Sequence, residues 1–191
     1  MGFNIVLSSP SGAGKTTITK KLSQKYPNIK ISISHTTRKP RSNEIDGVDY
    51  HFVSQEEFEK LIKKNNFYEH AKIFDNYYGT SKNSVNKLHQ ENYDVVFDID
   101  WQGTKQLSKF KELNLIKIFI LPPDKDELKK RLINRNQDND KVVEKRLKQY
   151  ESDVRHWFDY DYVVINNDLE SCFRQIEKII TTYKKDKMSF I

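Results

Sequence analysis

Cysteine is almost missing from this chain: Cys172 stands alone among 191 residues. No internal disulfide can form, and a cysteine-built metal site is disfavoured. Cys172 lies between Ser171 and Phe173 in a helical pattern, which predicts a buried structural thiol rather than a nucleophile. A lone thiol suits a reducing compartment, so a cytoplasmic location is expected. Glycine and proline are also scarce, at 6 and 5 residues, which excludes collagen-like and low-complexity chains. No apolar run reaches the roughly 18 residues of a membrane helix, and no membrane partner is expected. The opening Met1 to Leu7 has no basic segment before its apolar stretch and does not resemble a signal peptide. Neither sign of charge dominates: 33 basic against 27 acidic residues leave +6. That excess is spread along the chain and does not call for nucleic acid. Pairs such as Lys20-Lys21 and Lys129-Lys130 read as solvated helix faces. Arg38-Lys39-Pro40-Arg41 is different, because it clusters beside a turn proline and suits a phosphate.

What is present is alternation. Phe3 to Leu7 predicts a buried strand, and Lys15 to about Tyr26 a helix with Ile18 and Leu22 on one face. Ile29 to Ser34 alternates with period two and predicts a second strand. From His35 to Ser84 the pattern breaks into short strand-like pieces around Tyr50–Val53, Tyr68–Ala71 and Asn76–Gly79. One helix crosses this region, Gln55 to Lys64, with Ser54 as its N-cap. Further strands are expected at Asp94 to Asp100, Ile116 to Leu121 and Tyr160 to Ile165. Helices are expected at Ser84–Gln90, Gly103–Phe110, Asp126–Asn134, Val142 to about Arg155 and Asp168–Tyr183, with Lys184 to Ile191 fraying. Strands alternating with helices imply an α/β fold, a parallel sheet with helices on both faces. Ligands then bind beyond the carboxyl ends of the strands.

Ser8-Ser9-Pro10-Ser11-Gly12-Ala13-Gly14-Lys15-Thr16-Thr17 follows the first strand and opens the first helix, the setting a phosphate-binding loop requires. Successive backbone N–H groups turn inward there, and the helix N-terminus adds partial positive charge. Ser9, Pro10, Ser11, Gly12, Ala13, Gly14, Lys15, Thr16 and Thr17 are the candidate ATP contacts. Lys15 would reach the β- and γ-phosphates, and Thr16 would ligate Mg²⁺. The full pattern has glycine where this chain has Ser9. A phosphate loop does not choose a reaction. Asp100-Trp101-Gln102-Gly103 matches the D-x-x-G of GTPase switches, but Asn86-Lys87-Leu88-His89 lacks the acid of a guanine-reading N-K-x-D. Asp98 and Asp100 close a buried strand, where two carboxylates repel unless a cation or donors lie near.

Longer motifs are more specific. Ser34-His35-Thr36-Thr37-Arg38-Lys39-Pro40-Arg41, Glu44 through Gly47-Val48-Asp49-Tyr50-His51-Phe52, Tyr77-Tyr78-Gly79-Thr80 and Asp98 to Gly103 together resemble the signature of guanylate kinases. The matches run in order to Asn166-Asn167-Asp168-Leu169 and cover essentially the whole chain.

The resemblance implies a P-loop NTPase-type parallel sheet core flanked by helices (1–33, 84–123 and 150–191). It adds an inserted mixed α/β GMP-binding lobe (34–83) and a helical lid (124–149). It implies transfer of the γ-phosphoryl group of MgATP to GMP, in purine nucleotide metabolism. Ser34, Glu69 and Thr80 would read the guanine, whose N1–H and N2–H₂ donors suit one carboxylate. Arg38, Arg41, Tyr50 and Tyr78 would hold the GMP phosphate. Asp98 would lie near the metal and GMP, with Asp100 supporting the site. Arg131 and Arg135, four residues apart on one helix face, and Arg146 would close over the transferring group. The catalytic set is then Lys15, Arg38, Arg131, Arg135 and Arg146, with Thr16 and Asp98 at the metal. Asn166 would approach ATP on the adenine side, beside Asn167 where the family usually has an acid. Two rivals stay open: a kinase for another nucleoside monophosphate, and a non-catalytic guanylate-kinase-like module. The substrates implied are ATP and GMP, and the number of subunits is left open.

Overall fold

The computed structural model describes residues 2–73, 75–134 and 140–188. The first part of the chain forms β1 (Asn4–Ser8), α1 (Lys15–Lys25), β2 (Ile29–Ile31), β3 (His35–Thr36), β4 (His51–Phe52), α2 (Gln55–Lys63), β5 (Phe67–Ile73), β6 (Asn76–Ser81) and α3 (Lys82–Gln90). It continues through β7 (Asp94–Asp98), α4 (Trp101–Leu107), β8 (Leu115–Leu121), α5 (Lys125–Asn134), α6 (Asp140–Val154), β9 (Tyr162–Ile165) and α7 (Leu169–Met188).

Five strands make one sheet in the order β2-β7-β1-β8-β9, and every pairing in it is parallel. Side chains alternate across β1, so Ile5 and Leu7 enter one core and Val6 the other. The first core lies under α1 and α7 and holds Ile18, Leu22, Phe173 and Ile176. The second lies under α3 and α4 and holds Val85, Phe97 and Leu107. Each such fully buried aliphatic or aromatic side chain contributes about 1.5–3 kcal/mol. Leu7 is level with Asp98 on β7 and with Ile118 on β8, so the loop after β1 and the acidic turn after β7 emerge side by side.

The inserted lobe is a four-stranded mixed sheet, β4-β3-β6-β5. Its helix α2 starts as expected: Ser54 accepts from Glu57 N while Glu57 accepts from Ser54 N, a capping box contributing about 1 kcal/mol. Phe58 of α2 stacks on Phe67 and Tyr77, which seats the helix on the sheet. A third small core joins Leu128 and Leu132 of α5 to Val143 of α6.

Several expected boundaries move: β7 stops at Asp98, short of Asp100, α4 stops at Leu107, short of Phe110, and three further shifts have a visible cause. Ile29 to Ser34 is not one strand: β2 ends at Ile31, and the chain crosses to the second sheet, where β3 pairs with β4 and β6. α4 begins two residues before Gly103, because Asp100 caps it by accepting from Gly103 N at 2.9 Å. α7 runs on to Met188, tied by Lys184 to the buried carboxylate of Asp94. Cys172 is buried as expected, and burial pushes its thiol up to about 11.

Candidate active site

The phosphate loop is made of backbone. Gly12 and Gly14 adopt φ of 93° and 97°, angles that favour glycine, and Gly14 forms the N-terminal boundary of α1. Ser9 is not among the described non-glycine residues with positive φ, so its place in the loop asks nothing that a serine cannot supply. The turn is closed by Ala13 N donating to Pro10 O at 3.2 Å. It is held from outside in two ways. Asn166 Nδ2 donates to the Ala13 carbonyl at 2.8 Å. Leu128 and Leu132 of α5 press on Gly12, where a Cβ would come within 2.9 and 2.8 Å of their methyl carbons. Thr16 and Thr17 stand exposed on the first turn of α1.

Lys15 forms an ion pair with Asp98, the residue that ends β7. Beside the loop is a cleft of about 340 Å³ lined by Gly12, Gly14, Thr17, Arg131, Asn166 and Leu169. Arg131, expected from the sequence as a lid arginine, therefore already faces the phosphate loop. Its Nε donates to Glu127 at 3.0 Å and its Nη2 to the Asn167 carbonyl at 3.4 Å. Asn167 thus meets the cleft edge through its main chain. Arg146 lies partly buried on α6 and is not among the lining residues. Arg135 falls outside the described residues.

The second half of the site is made of side chains. Glu69 is buried, 4% exposed, on β5 opposite Thr80 of β6. The pairing register with β6 shifts between Phe67 and Glu69, and Glu69 keeps the inward side of β5 between the buried Phe67 and Ala71. Ser34 Oγ lies 3.4 Å from Thr80 Oγ1, so Ser34, Glu69 and Thr80 form one cluster. Burial pushes Glu69 up to about 7, and the nearby Asp100 adds to this, while Thr80 and Lys15 pull the other way. Asp100 is also raised, first by burial, with its hydrogen bond from Gly103 N and the charge of Lys15 opposing. The turn from Asp98 to Gly103 runs between the two regions: Asp98 pairs with Lys15, and the main chain of Gly103 lies against the Glu69 carboxylate.

The arginines expected at a phosphate are gripped by an acid. Arg38 holds Glu44 with two parallel hydrogen bonds, 2.9 Å from Nη1 to Oε2 and 2.8 Å from Nη2 to Oε1. Glu44 also accepts from Arg41 N at 2.8 Å, and the Arg41 guanidinium stands 3.9 Å away. Burial raises the Glu44 carboxyl, but these arginine contacts outweigh it and hold the group below the usual carboxylate range. Tyr50 and Tyr78 meet edge to face with centroids 6.0 Å apart, and Arg38 lies 5.4 Å above the Tyr50 ring. Arg38, Arg41, Tyr50 and Tyr78 thus share one neighbourhood. The sequence motif contained Glu44, but nothing in it marked the residue as the clamp that orients Arg38.

Sequence reasoning also missed a polar layer under the loop. Ser8 Oγ donates to Ile99 O and lies 2.9 Å from Thr104 Oγ1, and Tyr160 Oη donates to Thr104 Oγ1 at 3.0 Å. Trp101, the first residue of α4, donates from its indole to Asp153 at 3.1 Å and stacks on His156 with centroids 3.7 Å apart. This fastens the end of α6 beside Asp100. The proximity of Trp101 to the acidic turn was the one available signal. Its partners lie about fifty residues away and left none.

The arrangement has an established counterpart. The guanylate kinase family model matches residues 2–183. The chain is 46% identical to a guanylate kinase of Paramagnetospirillum magneticum over 94% of its own length and 84% of that protein. It is 47% identical to one of Rickettsia bellii, covering 97% of each. The crystal structure of guanylate kinase from Anaplasma phagocytophilum superposes with a TM-score of 0.78 at 33% identity, covering 95% of this chain and 86% of that one. With identities this high over nearly its whole length, the chain belongs to the guanylate kinase family.

Proposed function

We propose that the chain transfers the γ-phosphoryl group of ATP to GMP, giving ADP and GDP. The observation that supports this most is that one acidic turn touches both halves of the site. Asp98 pairs with Lys15 at the phosphate loop, Asp100 accepts from the Gly103 amide, and the main chain of Gly103 lies against the Glu69 carboxylate. A donor triphosphate in the loop and a purine against Glu69 would then meet across Asp98.

The guanine reading is chemical. Guanine offers N1–H and N2–H₂ on one edge, and an ionised Glu69 accepts from both. Adenine has no such donor pair, and a buried carboxylate left unpaired is costly, so discrimination is strong. Thr80 and Ser34 have hydroxyls to donate to O6. The donors of bound guanine favour the ionised form, so GMP would draw the Glu69 carboxyl down from its raised value. Arg38 and Arg41, with Tyr50 and Tyr78, would take the GMP phosphate, and Glu44 keeps the Arg38 fork facing one way until it arrives. Asn166 would support the ATP side through the Ala13 carbonyl.

Magnesium suits the residues present. Thr16 and Asp98 are hard oxygen donors and would hold it. Among the described residues no group of three or more His, Cys, Asp or Glu gathers into a cage, which matches an ion that keeps water and phosphate ligands. When bound, the ion would neutralise charge on the phosphate oxygens. The acceptor is already a phosphate oxygen, largely ionised near neutrality, so no strong general base is needed. Lys15 and Arg131 hold the transferring group in line, and Arg146 and Arg135 are assigned to closure over it, which excludes water. A cytoplasmic setting accords with the single buried thiol, Cys172. Among the described residues, no helix is long and apolar enough to cross a membrane.

A coupled assay with ATP and each of GMP, AMP, UMP and dTMP tests the proposal. GMP is expected to be used at least about a hundredfold better than the others. Equal use of AMP would overturn the reading of Glu69, and no turnover with any acceptor would overturn the activity.

A further inference from the structure

Gly103 lies inside α4, where alanine is the better helix former. Positive φ is found at Gly12, Gly14 and Gly47 but not at Gly103, so its backbone does not require glycine. The space around it does. A Cβ at position 103 would stand 2.6 Å from Glu69 Oε2 and 3.2 Å from Glu69 Cδ, with Ile99 Cβ at 3.3 Å behind it. The atoms that forbid a side chain here are those of the carboxylate itself.

From this packing we infer that Gly103 is a specificity-determining positioning residue: the bare main chain of α4 is the wall against which the Glu69 carboxylate is set. The inference rests on the reading of Glu69 as the guanine-reading group. The carboxylate is confined on its other sides. Thr80 faces it across the β5–β6 pair, Glu69 takes the inward side of β5 between the buried Phe67 and Ala71, and it is only 4% exposed. A methyl group at position 103 therefore cannot be absorbed by a swing into solvent. It must push the two oxygens toward the purine or twist them out of its plane. Two parallel hydrogen bonds to a rigid base edge tolerate neither, because their strength falls steeply with distance and angle. Asp100 keeps the wall in place, since its side chain accepts from the Gly103 amide at 2.9 Å and so fixes the first turn of α4.

The test is to measure GMP and ATP binding by calorimetry, together with KM for each, in Gly103→Ala, Glu69→Asp, Glu69→Gln and the Gly103→Ala/Glu69→Asp pair. Gly103→Ala is expected to weaken GMP about tenfold or more while ATP changes less than about twofold. The shorter Glu69→Asp should cost less GMP affinity in the Gly103→Ala background than in the wild type, a coupling that independent sites do not show. Wild-type GMP affinity in Gly103→Ala, equal losses of GMP and ATP, or strictly additive costs would each overturn the inference. If Glu69→Gln leaves GMP unaffected, the guanine reading itself fails. If Glu69→Gln weakens GMP and Gly103→Ala does not, only the positioning role fails. Should Gly103→Ala not fold, Glu69→Ala/Gly103→Ala must recover the fold, because the methyl group then has room. A double variant that stays unfolded overturns the inference.

Discussion

The phosphate loop and the proposed guanine pocket meet at the turn from Asp98 to Gly103, yet they are built from different material. The loop is main chain: two glycines at positive φ, a run of amides and the start of α1, all within ten consecutive residues. The proposed pocket is side chain, drawn from Ser34 before β3, Glu69 and Thr80 on the β5–β6 pair, and Asp100 at the N-cap of α4. A main-chain site is indifferent to most side chains and intolerant at its glycines. A side-chain site is the reverse: each member matters, and its backbone follows ordinary strand and helix rules. Charge separates them too. The loop carries the cation Lys15, while the pocket holds the buried Glu69 and the partly buried Asp100, carboxyls whose proton affinities burial has raised.

Substitutions sharpen this contrast. The largest effect is expected where the halves meet. Lys15→Ala should cut kcat by about a thousandfold or more, with far-UV circular dichroism unchanged. A kinase rate near wild type would break the assignment of the loop. Next, Glu69→Gln should lower kcat/KM for GMP about a hundredfold and leave KM for ATP within about twofold. Losses shared equally by both nucleotides would mean that the two halves are not separate sites.

The same variant carries a pH signature. Glu69 is raised to about 7 in the fold. As pH climbs from about 4.5 to about 7, the unfolded chain releases this proton while the folded one keeps it, so folding stability declines across that window. Above it the full cost, on the order of 3 kcal/mol, is present. Glu69→Gln should therefore melt higher than wild type at about pH 8 and show a flatter stability profile between about pH 4.5 and 7. In kinetics the sign is opposite: KM for GMP should rise as pH falls below about 7, because the ionised carboxylate is the acceptor. A dependence of equal size in Glu69→Gln would remove Glu69 as its source.

Gly14→Ala tests the loop's own weak point. Its φ of 97° and the Asn166 amide nitrogen, which a Cβ there would strike, both oppose a side chain. ATP affinity should drop about tenfold, in line with about 1–3 kcal/mol of backbone strain, with GMP binding unaffected. The smallest effect is expected at Ser9→Gly, which should move KM for ATP less than about threefold, since Ser9 is under no left-handed constraint. A large gain on restoring glycine would show that the serine side chain, not the backbone, limits the loop.

The same difference in material decided what the sequence disclosed. The loop could be read from its residues, because its chemistry lies in consecutive amides and the strand and helix around it have clear periods. The sheet core was legible for the same reason, since β1, β7 and β8 are short apolar runs between amphipathic helices. Ser54 could be placed as a cap because a capping box is local. The proposed pocket comes from the resemblance alone: nothing in the run from Phe67 to Ala71 distinguishes a buried Glu69 from a strand carboxylate facing water. The break after Ile31 was hidden because Ser32 to Ser34 keep the period of two while the chain changes sheets, with no glycine or proline to mark it. The start of α4 was displaced because Asp100 was reserved for ligand chemistry, whereas its carboxylate also caps the helix. The Trp101–His156 stack joins residues too distant in sequence for any periodicity to report.

The two leucines of α5 against Gly12 have a mechanical consequence. A loop whose outer surface is in van der Waals contact with a helix cannot change curvature without moving that helix, and the helix cannot rock without bending the loop. Arg131 rides on the same helix, one residue before Leu132. The cradle for the donor phosphates and the cation that reaches toward them thus form a single lever, so the snugness of one and the reach of the other must change together.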